Sequence, residues 1–133
     1  MNPKIAIINA TQHKSTMSQR EAGVVDLKGD DHSDLCALLT FTEIPSYPEM
    51  KTRAYKIVRL LSQAFGCGPV DVMIGGAPFF MSILENVLIL EDYNPIYSFS
   101  ERISVEIQLE DGSVKKENVF KHTGFVSSRR GGL

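Results

Sequence analysis

The strongest constraint on the fold is a strict alternation of apolar and polar residues that runs into an Asp-Gly pair. Between positions 102 and 110 the apolar members are Ile103, Val105, Ile107 and Leu109. A period of two is typical of a β-strand with one covered face. The Asp111-Gly112 pair favours the positive φ angles of a tight two-residue turn. The pattern therefore predicts an antiparallel hairpin with arms at 102–109 and 113–121.

Upstream of the hairpin, short apolar runs alternate with amphipathic segments. Runs at 4–9, 70–75 and 95–100 are expected to form parallel strands, with a further short strand at 24–27. Three of the four expected helices lie after the capping box of Thr16 and Gln19, over 49–65, and from Pro78 onward. Positions 29–32 read as a surface turn, with a helix capped by Ser33 behind it.

This order predicts an α/β fold. We expect a Rossmann-like three-layer sandwich whose mostly parallel sheet is extended by the antiparallel hairpin. Residues 1–126 would form one domain and 127–133 a flexible tail.

Composition restricts the classes of partner. The 133 residues carry a formal net charge of −2, so no global basic field attracts long nucleic acid. No apolar run approaches the roughly 20 residues that span a bilayer, so no membrane partner is expected. Cys36 and Cys67 are too few for a disulfide framework, and the histidines and cysteines lack metal-ligand spacing. We expect a cytoplasmic protein with reduced thiols, no metal and no cofactor.

Three loops are candidates for a shared site, because sheets of this class bind ligands at the carboxyl ends of their strands. They are Thr11–Ser15, Gly75–Phe79 and Ser98–Arg102. The candidate ligand-binding residues are Thr11, Ser15, Gly75, Gly76, Ser98 and Ser100, and the candidate catalytic residues are His13 and Arg102. Hydroxyls, a guanidinium and glycine amides suit phosphate or ribose, and a histidine can move a proton near neutral pH.

Each candidate also has a structural explanation. The Gly75-Gly76 pair fits a tight turn, and His13 fits a solvated capping loop. Ser98, Ser100 and Arg102 fit the polar face of an exposed strand. Lys121 and His122 read as structural or interfacial.

The C-terminal segment resembles a known family. It runs Tyr97-Ser98-x-Ser100-Glu101-Arg102, then Glu106, Asp111-Gly112-Ser113-Val114, Lys116, Val119-Phe120-Lys121-His122 and Phe125. This looks like the C-terminal signature of the small stand-alone CARF-like CRISPR-associated accessory proteins of type III systems, the ring nuclease family. The opening, a strand followed by His13, Thr16 and Gln19, is similar too. The chain departs from that pattern after His122, where Gly124-Phe125-Val126 replaces a more basic ending.

The resemblance implies a Rossmann-like fold, a symmetric homodimer and an antiviral role. It also implies that the protein binds, or cleaves without metal, a cyclic oligoadenylate second messenger. Cleavage needs donors on the developing charge, which Arg102 and the amides at Gly76 could supply, while His13 moves a proton. Two alternatives stay open: a non-catalytic module that senses or sequesters a nucleotide, and a dimeric interaction protein with no nucleotide site.

Overall fold

The computed structural model describes residues 7–127, and within this range the chain forms five strands and four helices. In chain order they are β1 (Ile7–Ala10), α1 (Met17–Glu21), β2 (Val24–Asp26), α2 (Gly29–Leu39), α3 (Tyr47–Phe65), β3 (Asp71–Ile74), α4 (Pro78–Leu90), β4 (Asn94–Gln108) and β5 (Val114–Ser127). Positions 4–6 of the predicted first strand and 128–133 of the predicted tail lie outside the described residues. Among the helices of residues 7–127, none is long and apolar enough to cross a bilayer.

The five strands form a single sheet in the order β2-β1-β3-β4-β5. Strands β1 to β4 are mutually parallel, and β5 runs antiparallel to β4. The prediction of an α/β fold with a mostly parallel sheet and an antiparallel hairpin is thus confirmed. From β1 the chain first moves outward to β2 and then crosses back to β3. The change of direction creates a crevice between the carboxyl ends of β1 and β3, where sheets of this order bind ligands.

The hairpin is longer than expected. The predicted strand at 95–100 and the predicted arm at 102–109 are one continuous strand, β4. Its partner β5 continues past the predicted end at 121 and pairs Ser127 with Ile96. Ser127 therefore closes a strand, where the sequence suggested the start of a tail. Between Phe99 and Ser100 the register shifts by one residue, so β5 carries a bulge at Thr123.

The three longer helices share one hydrophobic core with alternate residues of the sheet. The fully buried members include Ile8 and Val72 of the sheet, Leu35 of α2, Ile57 and Leu61 of α3, and Phe80, Leu84 and Leu88 of α4. On the opposite face, Ile7, Val24, Met73 and Ile96 form a smaller cluster with Phe125 packed against it. Helix α1 lies on this second side, because its Gln19 reaches Ser98, which shares a face of β4 with Ile96.

The predicted turn at 29–32 is wrong, because α2 already begins at Gly29. Asp30 and Asp31 fall in its first turn, where carboxylates interact favourably with the positive end of the helix dipole. Ser33 is consequently inside the helix, where its hydroxyl points back to the Gly29 carbonyl at 3.5 Å. The predicted capping box of α1 is confirmed in both of its hydrogen bonds.

We expect the buried residues of α4 to provide most of what this helix contributes to the stability of the protein. Leu84 is fully buried, whereas Leu90 on the same helix is 73% exposed. Leu84→Ala should therefore lower the free energy of unfolding by about 2–5 kcal/mol, through lost burial and a cavity. Leu90→Ala is the matched control and should change it by less than about 0.5 kcal/mol. Urea unfolding of both variants measures the difference, and equal costs would contradict the described packing of α4.

Candidate functional site

A crevice of about 390 Å³ opens at the carboxyl ends of β1 and β3. It is lined by Thr11, Gln12, His13, Lys14, Thr16, Gln19, Met73, Ile74, Gly75, Gly76, Tyr97 and Ser98. The three predicted loops thus meet, each through part of its length. Thr11, His13, both glycines and Ser98 line the crevice, and Ser15, Ser100 and Arg102 do not.

The two glycines have different reasons to be glycine. Gly76 has a φ of +151°, which side chains with a Cβ rarely adopt. Gly75 has no such requirement, and a Cβ there would make an ordinary 3.7 Å contact with Thr11 Cγ2. The tight-turn explanation therefore applies to Gly76. Helix α4 starts directly behind the pair, and its N-cap, Ala77, makes no side-chain capping bond. Pro78, the first residue of α4, has no amide hydrogen, and the Phe80 amide donates to the Ala77 carbonyl at 3.0 Å, so the backbone that this end of the sheet offers to an anion in the crevice is that of Gly75 and Gly76.

Asn9 organises the loop that follows β1. Its side chain is 2% exposed and sits at the strand's carboxyl end. Asn9 Oδ1 accepts from the Thr11 amide at 3.0 Å and from the Thr11 hydroxyl at 2.7 Å. Asn9 Nδ2 donates to the His13 carbonyl and to Asp26 Oδ1, both at 2.8 Å. A single amide side chain thereby fixes the backbone on either side of Gln12.

Asp26 at the end of β2 completes this scaffold. Its carboxylate accepts from Asn9 and, at 3.2 Å, from the Ser15 amide, whose carbonyl in turn accepts from Arg20. Burial by itself would raise the pKa of Asp26. Hydrogen bonds from Asn9 and Ser15 and the charge of Arg20 outweigh burial and hold that pKa below its ordinary value.

Ser15 does not take the predicted ligand-binding position. Its residue is 4% exposed, and its backbone is tied to Asp26 and Arg20. Ser15 anchors the loop through its backbone and does not line the crevice. A serine in a polar loop does not reveal whether its side chain faces the ligand or the protein.

Ser98 is held in a hydrogen-bonded chain that crosses three elements. The amide of Gln19 is oriented by the capping box, because its Oε1 accepts from the Thr16 amide at 2.9 Å. Gln19 Nε2 then donates to Ser98 Oγ at 3.2 Å, and Ser98 Oγ lies 2.8 Å from His122 Nδ1. The His122 ring packs edge-on against Phe125, with 4.7 Å between the ring centroids. A hydroxyl in the crevice is therefore in contact with an imidazole nitrogen.

His122 and Gln19 are the site residues that sequence reasoning missed. The sequence places His122 in a structural or interfacial role and Gln19 only in a capping box. Counting cross-strand pairs backward from a two-residue Asp111-Gly112 turn places Thr123 opposite Ser100. The structure instead pairs Gln108 with Val114, a register one residue away, and so puts His122 opposite Ser100. The count from the turn therefore gave no signal for His122. Nothing in the spacing indicated that Gln19 would reach across to β4.

Arg102 is not at the crevice. It pairs with Phe120 on the exposed part of the hairpin, four residues beyond Ser98. At the rise of a β-strand this is about 13 Å along β4. Ser100 lies between them and lines a neighbouring cavity of about 470 Å³ together with Gln19, Phe120, Lys121 and His122. The predicted cluster of Ser98, Ser100 and Arg102 shares a face of the strand but is spread along it.

The other polar residues of the crevice differ in what they can do. His13 and Lys14 are exposed at its mouth and can meet an anion. Burial, followed by the charge of Glu85 and a hydrogen bond to it, raises the pKa of Tyr97 to about 12. Tyr97 is thus a neutral phenol at physiological pH and does not serve as a base there. Within residues 7–127, no group of three or more His, Cys, Asp or Glu side chains is arranged to hold a metal ion.

Fold and site together define an α/β protein with a polar crevice at the topological switch point of its sheet. The chain belongs to the uncharacterized protein MJ1673 family, whose model matches residues 5–126. No curated protein and no solved structure matches the chain.

We expect Asp26 to stabilise the fold in a pH-dependent way. Because its pKa is lower in the folded than in the unfolded chain, its contribution is complete above the unfolded value and is lost as the pH falls through the folded value. Asp26→Asn should cost about 1–3 kcal/mol at pH 7, and the difference from the native protein should shrink as the pH drops below about 4. Denaturant unfolding at pH 7 and pH 3 measures this, with the exposed Asp34→Asn as control. A pH-independent difference would contradict a stabilising charge on Asp26.

Proposed function

We propose that this protein binds a cyclic oligoadenylate in the β1/β3 crevice and cleaves it without a metal ion. The observation that carries the proposal is the meeting of Gly75-Gly76, His13, the Lys14 ammonium and the Ser98 hydroxyl around one cavity. Cleavage of a phosphodiester next to a ribose requires hydrogen-bond donors to the phosphate oxygens, a group that transfers a proton, and a contact that holds the ribose. Type III CRISPR signalling in the cytoplasm is the setting that the resemblance of the sequence supports.

The binding part of the proposal divides the ligand between two sides of the crevice. A phosphate takes the side of Gly76 and the start of α4, with Lys14 as a mobile counter-charge. The ribose takes the side of Ser98 and Thr11. Arg102 stands too far along β4 for the same phosphate, so in this arrangement it contacts a part of the ring outside the crevice.

The chemical part uses the ligand's own 2′-hydroxyl. Its oxygen attacks the adjacent phosphorus in line, the bond from phosphorus to the 5′-oxygen breaks, and a 2′,3′-cyclic phosphate and a 5′-hydroxyl result. His13 gives the proton that the leaving 5′-oxygen needs. The amides at Gly76 and the Lys14 ammonium offset the charge that develops on the phosphoryl oxygens.

A two-fold homodimer of Rossmann-like subunits is part of the same proposal. A crevice of about 390 Å³ accommodates roughly one nucleotide, so a ring of several nucleotides calls for two crevices facing each other. The hairpin offers apolar surface for such a contact: Phe99 is 54% exposed, Phe120 74%, Ile107 38% and Val119 37%. The finer fold assignment, a Rossmann-like three-layer sandwich, also belongs to the proposal.

Binding is tested by ligand-induced stabilisation and titration calorimetry. A cyclic oligoadenylate at a hundred times its Kd should stabilise the native protein by ~2.7 kcal/mol. Lys14→Ala should weaken binding by roughly 10-fold or more, and by more than Arg102→Ala, because Lys14 lines the crevice and Arg102 does not. Lys51→Ala, on the exposed side of α3, is the matched control. No stabilisation by any ring size would remove the proposal, and a larger effect of Arg102→Ala would relocate the phosphate to the hairpin.

Catalysis and assembly are tested separately. His13→Ala should slow ring cleavage by about 100-fold while leaving affinity within a few fold. A time course with labelled ring decides between a nuclease and a module that only binds.

Light scattering should give a dimer across the micromolar range. A monomer throughout that range would contradict the two-crevice arrangement.

A further inference from the structure

We infer that Ser98 and His122 form a proton relay that accepts a proton from a hydroxyl of the ligand, which selects phosphodiesters with a free neighbouring hydroxyl. The inference rests on the proposed function for the identity of the ring, but its chemistry depends only on the contacts of Ser98. Neither residue was expected to act as a base. The 2.8 Å contact between Ser98 Oγ and His122 Nδ1 is the starting observation.

The hydrogen-bonding capacity of Ser98 limits what it can bind. A serine hydroxyl has one proton to donate and two lone pairs with which to accept. One lone pair is occupied by Gln19 Nε2, which can only donate. Gln19 cannot turn its amide around at no cost, because its Oε1 is needed by the Thr16 amide in the capping box. The remaining proton and the remaining lone pair are divided between His122 and the ligand.

The tautomer of the His122 imidazole decides whether Ser98 gives its proton to His122 or to the ligand. If Nδ1 is the bare nitrogen, Ser98 donates to it and presents its free lone pair to the crevice. A group with a proton to give, such as a ribose hydroxyl, is then the matching ligand atom. A phosphate oxygen, which can only accept, is excluded from Ser98 in this state. We assign the neutral ring the tautomer with its proton on Nε2.

This arrangement moves a proton in two linked steps. As the ligand's 2′-oxygen attacks phosphorus, its proton passes to Ser98 Oγ, and the Ser98 proton passes to His122 Nδ1. Serine is unchanged at the end, and the imidazole becomes a cation. His13 gives a proton to the leaving oxygen, so the summed charge of His13 and His122 is unchanged. His122 can return its proton to water after the product leaves.

His122 is fixed in place by its surroundings. Its ring edge meets Phe125, and its strand neighbour Lys121 lines the adjacent cavity with it. The ring is half-buried and belongs to β5, whose pairing with β4 sets its position opposite Ser100. Because His122 lies on a paired strand, its distance to Ser98 varies less than the distance of a base on the exposed loop after β1 would.

The first test needs no ligand. Nitrogen chemical shifts of His122 in the native protein should show the neutral ring protonated on Nε2 with Nδ1 bare. Ser98→Ala should shift the Nδ1 signal, while Ser104→Ala, on the exposed part of the same strand, should not. A neutral ring protonated on Nδ1 would overturn the inference, because Ser98 would then have both lone pairs filled.

The second test isolates the base step with adenosine 3′-(4-nitrophenyl phosphate). Its 4-nitrophenolate leaves without needing a proton, so release reports attack by the 2′-hydroxyl. The native protein should cleave this ester and should not cleave the 2′-deoxy counterpart. His122→Gln and Ser98→Ala should each lower the rate by about 100-fold. His32→Gln, a histidine on α2 outside the site, is the matched control. Added imidazole should restore part of the rate to His122→Ala, which a purely structural role would not allow.

The outcomes separate the two proposals. If the ring is cleaved and His122→Gln cleaves the ester at the native rate, the relay is wrong and the proposed function stands. If the ring neither binds nor is cleaved, but the ester depends on His122 and Ser98, the ring assignment is wrong and the relay stands. If the native protein does not cleave the ester, the relay is wrong whatever the ring does. Thermal unfolding of each variant confirms that a lost rate is not lost folding.

Discussion

The hydrogen bonds of the buried Asn9 amide are the constraint on which the crevice depends. A polar side chain that is almost wholly removed from water must satisfy its donors and acceptor inside the protein. Asn9 does so by holding Thr11, His13 and Asp26 at once. The same bonds that compensate its burial therefore shape the loop that lines one side of the site. Stability and site geometry are coupled at this residue, and a change there alters both.

Much of the fold was predictable because its signals are local. Apolar runs that end in glycine or polar residues marked the parallel strands, and the Asp111-Gly112 pair marked the hairpin turn. The capping box of Thr16 and Gln19 was readable for the same reason, since its hydrogen bonds close within four residues. The start of α2 was missed because Gly29, Asp30 and Asp31 suit a turn and a helix N-terminus equally.

The site was predictable only in part, because it depends on distances that residue types do not contain. The meeting of Thr11, Gly75 and Ser98 followed from strand order alone. Arg102 was misplaced because residues that alternate along a strand share a face but separate by almost 7 Å per pair. The loop residue Ser15 is buried, and Asn9, for which the sequence predicts only a place in the first strand, builds the loop.

The bulge at Thr123 has a mechanical consequence for the hairpin. A bulge bends its strand and increases the local twist, so this one residue sets the direction in which the distal ribbon leaves the sheet. From Ser100 to Gln108 the ribbon extends roughly 27 Å, and a 20° change at its base would swing the tip by about 9 Å. Removing Thr123, which is the unpaired residue of the bulge, would leave the cross-strand pairs on either side intact and yet re-aim the whole arm. The reach of the protein towards a neighbour is thus adjustable at a single backbone position, which also sets how His122, just beyond the bulge, meets Ser98.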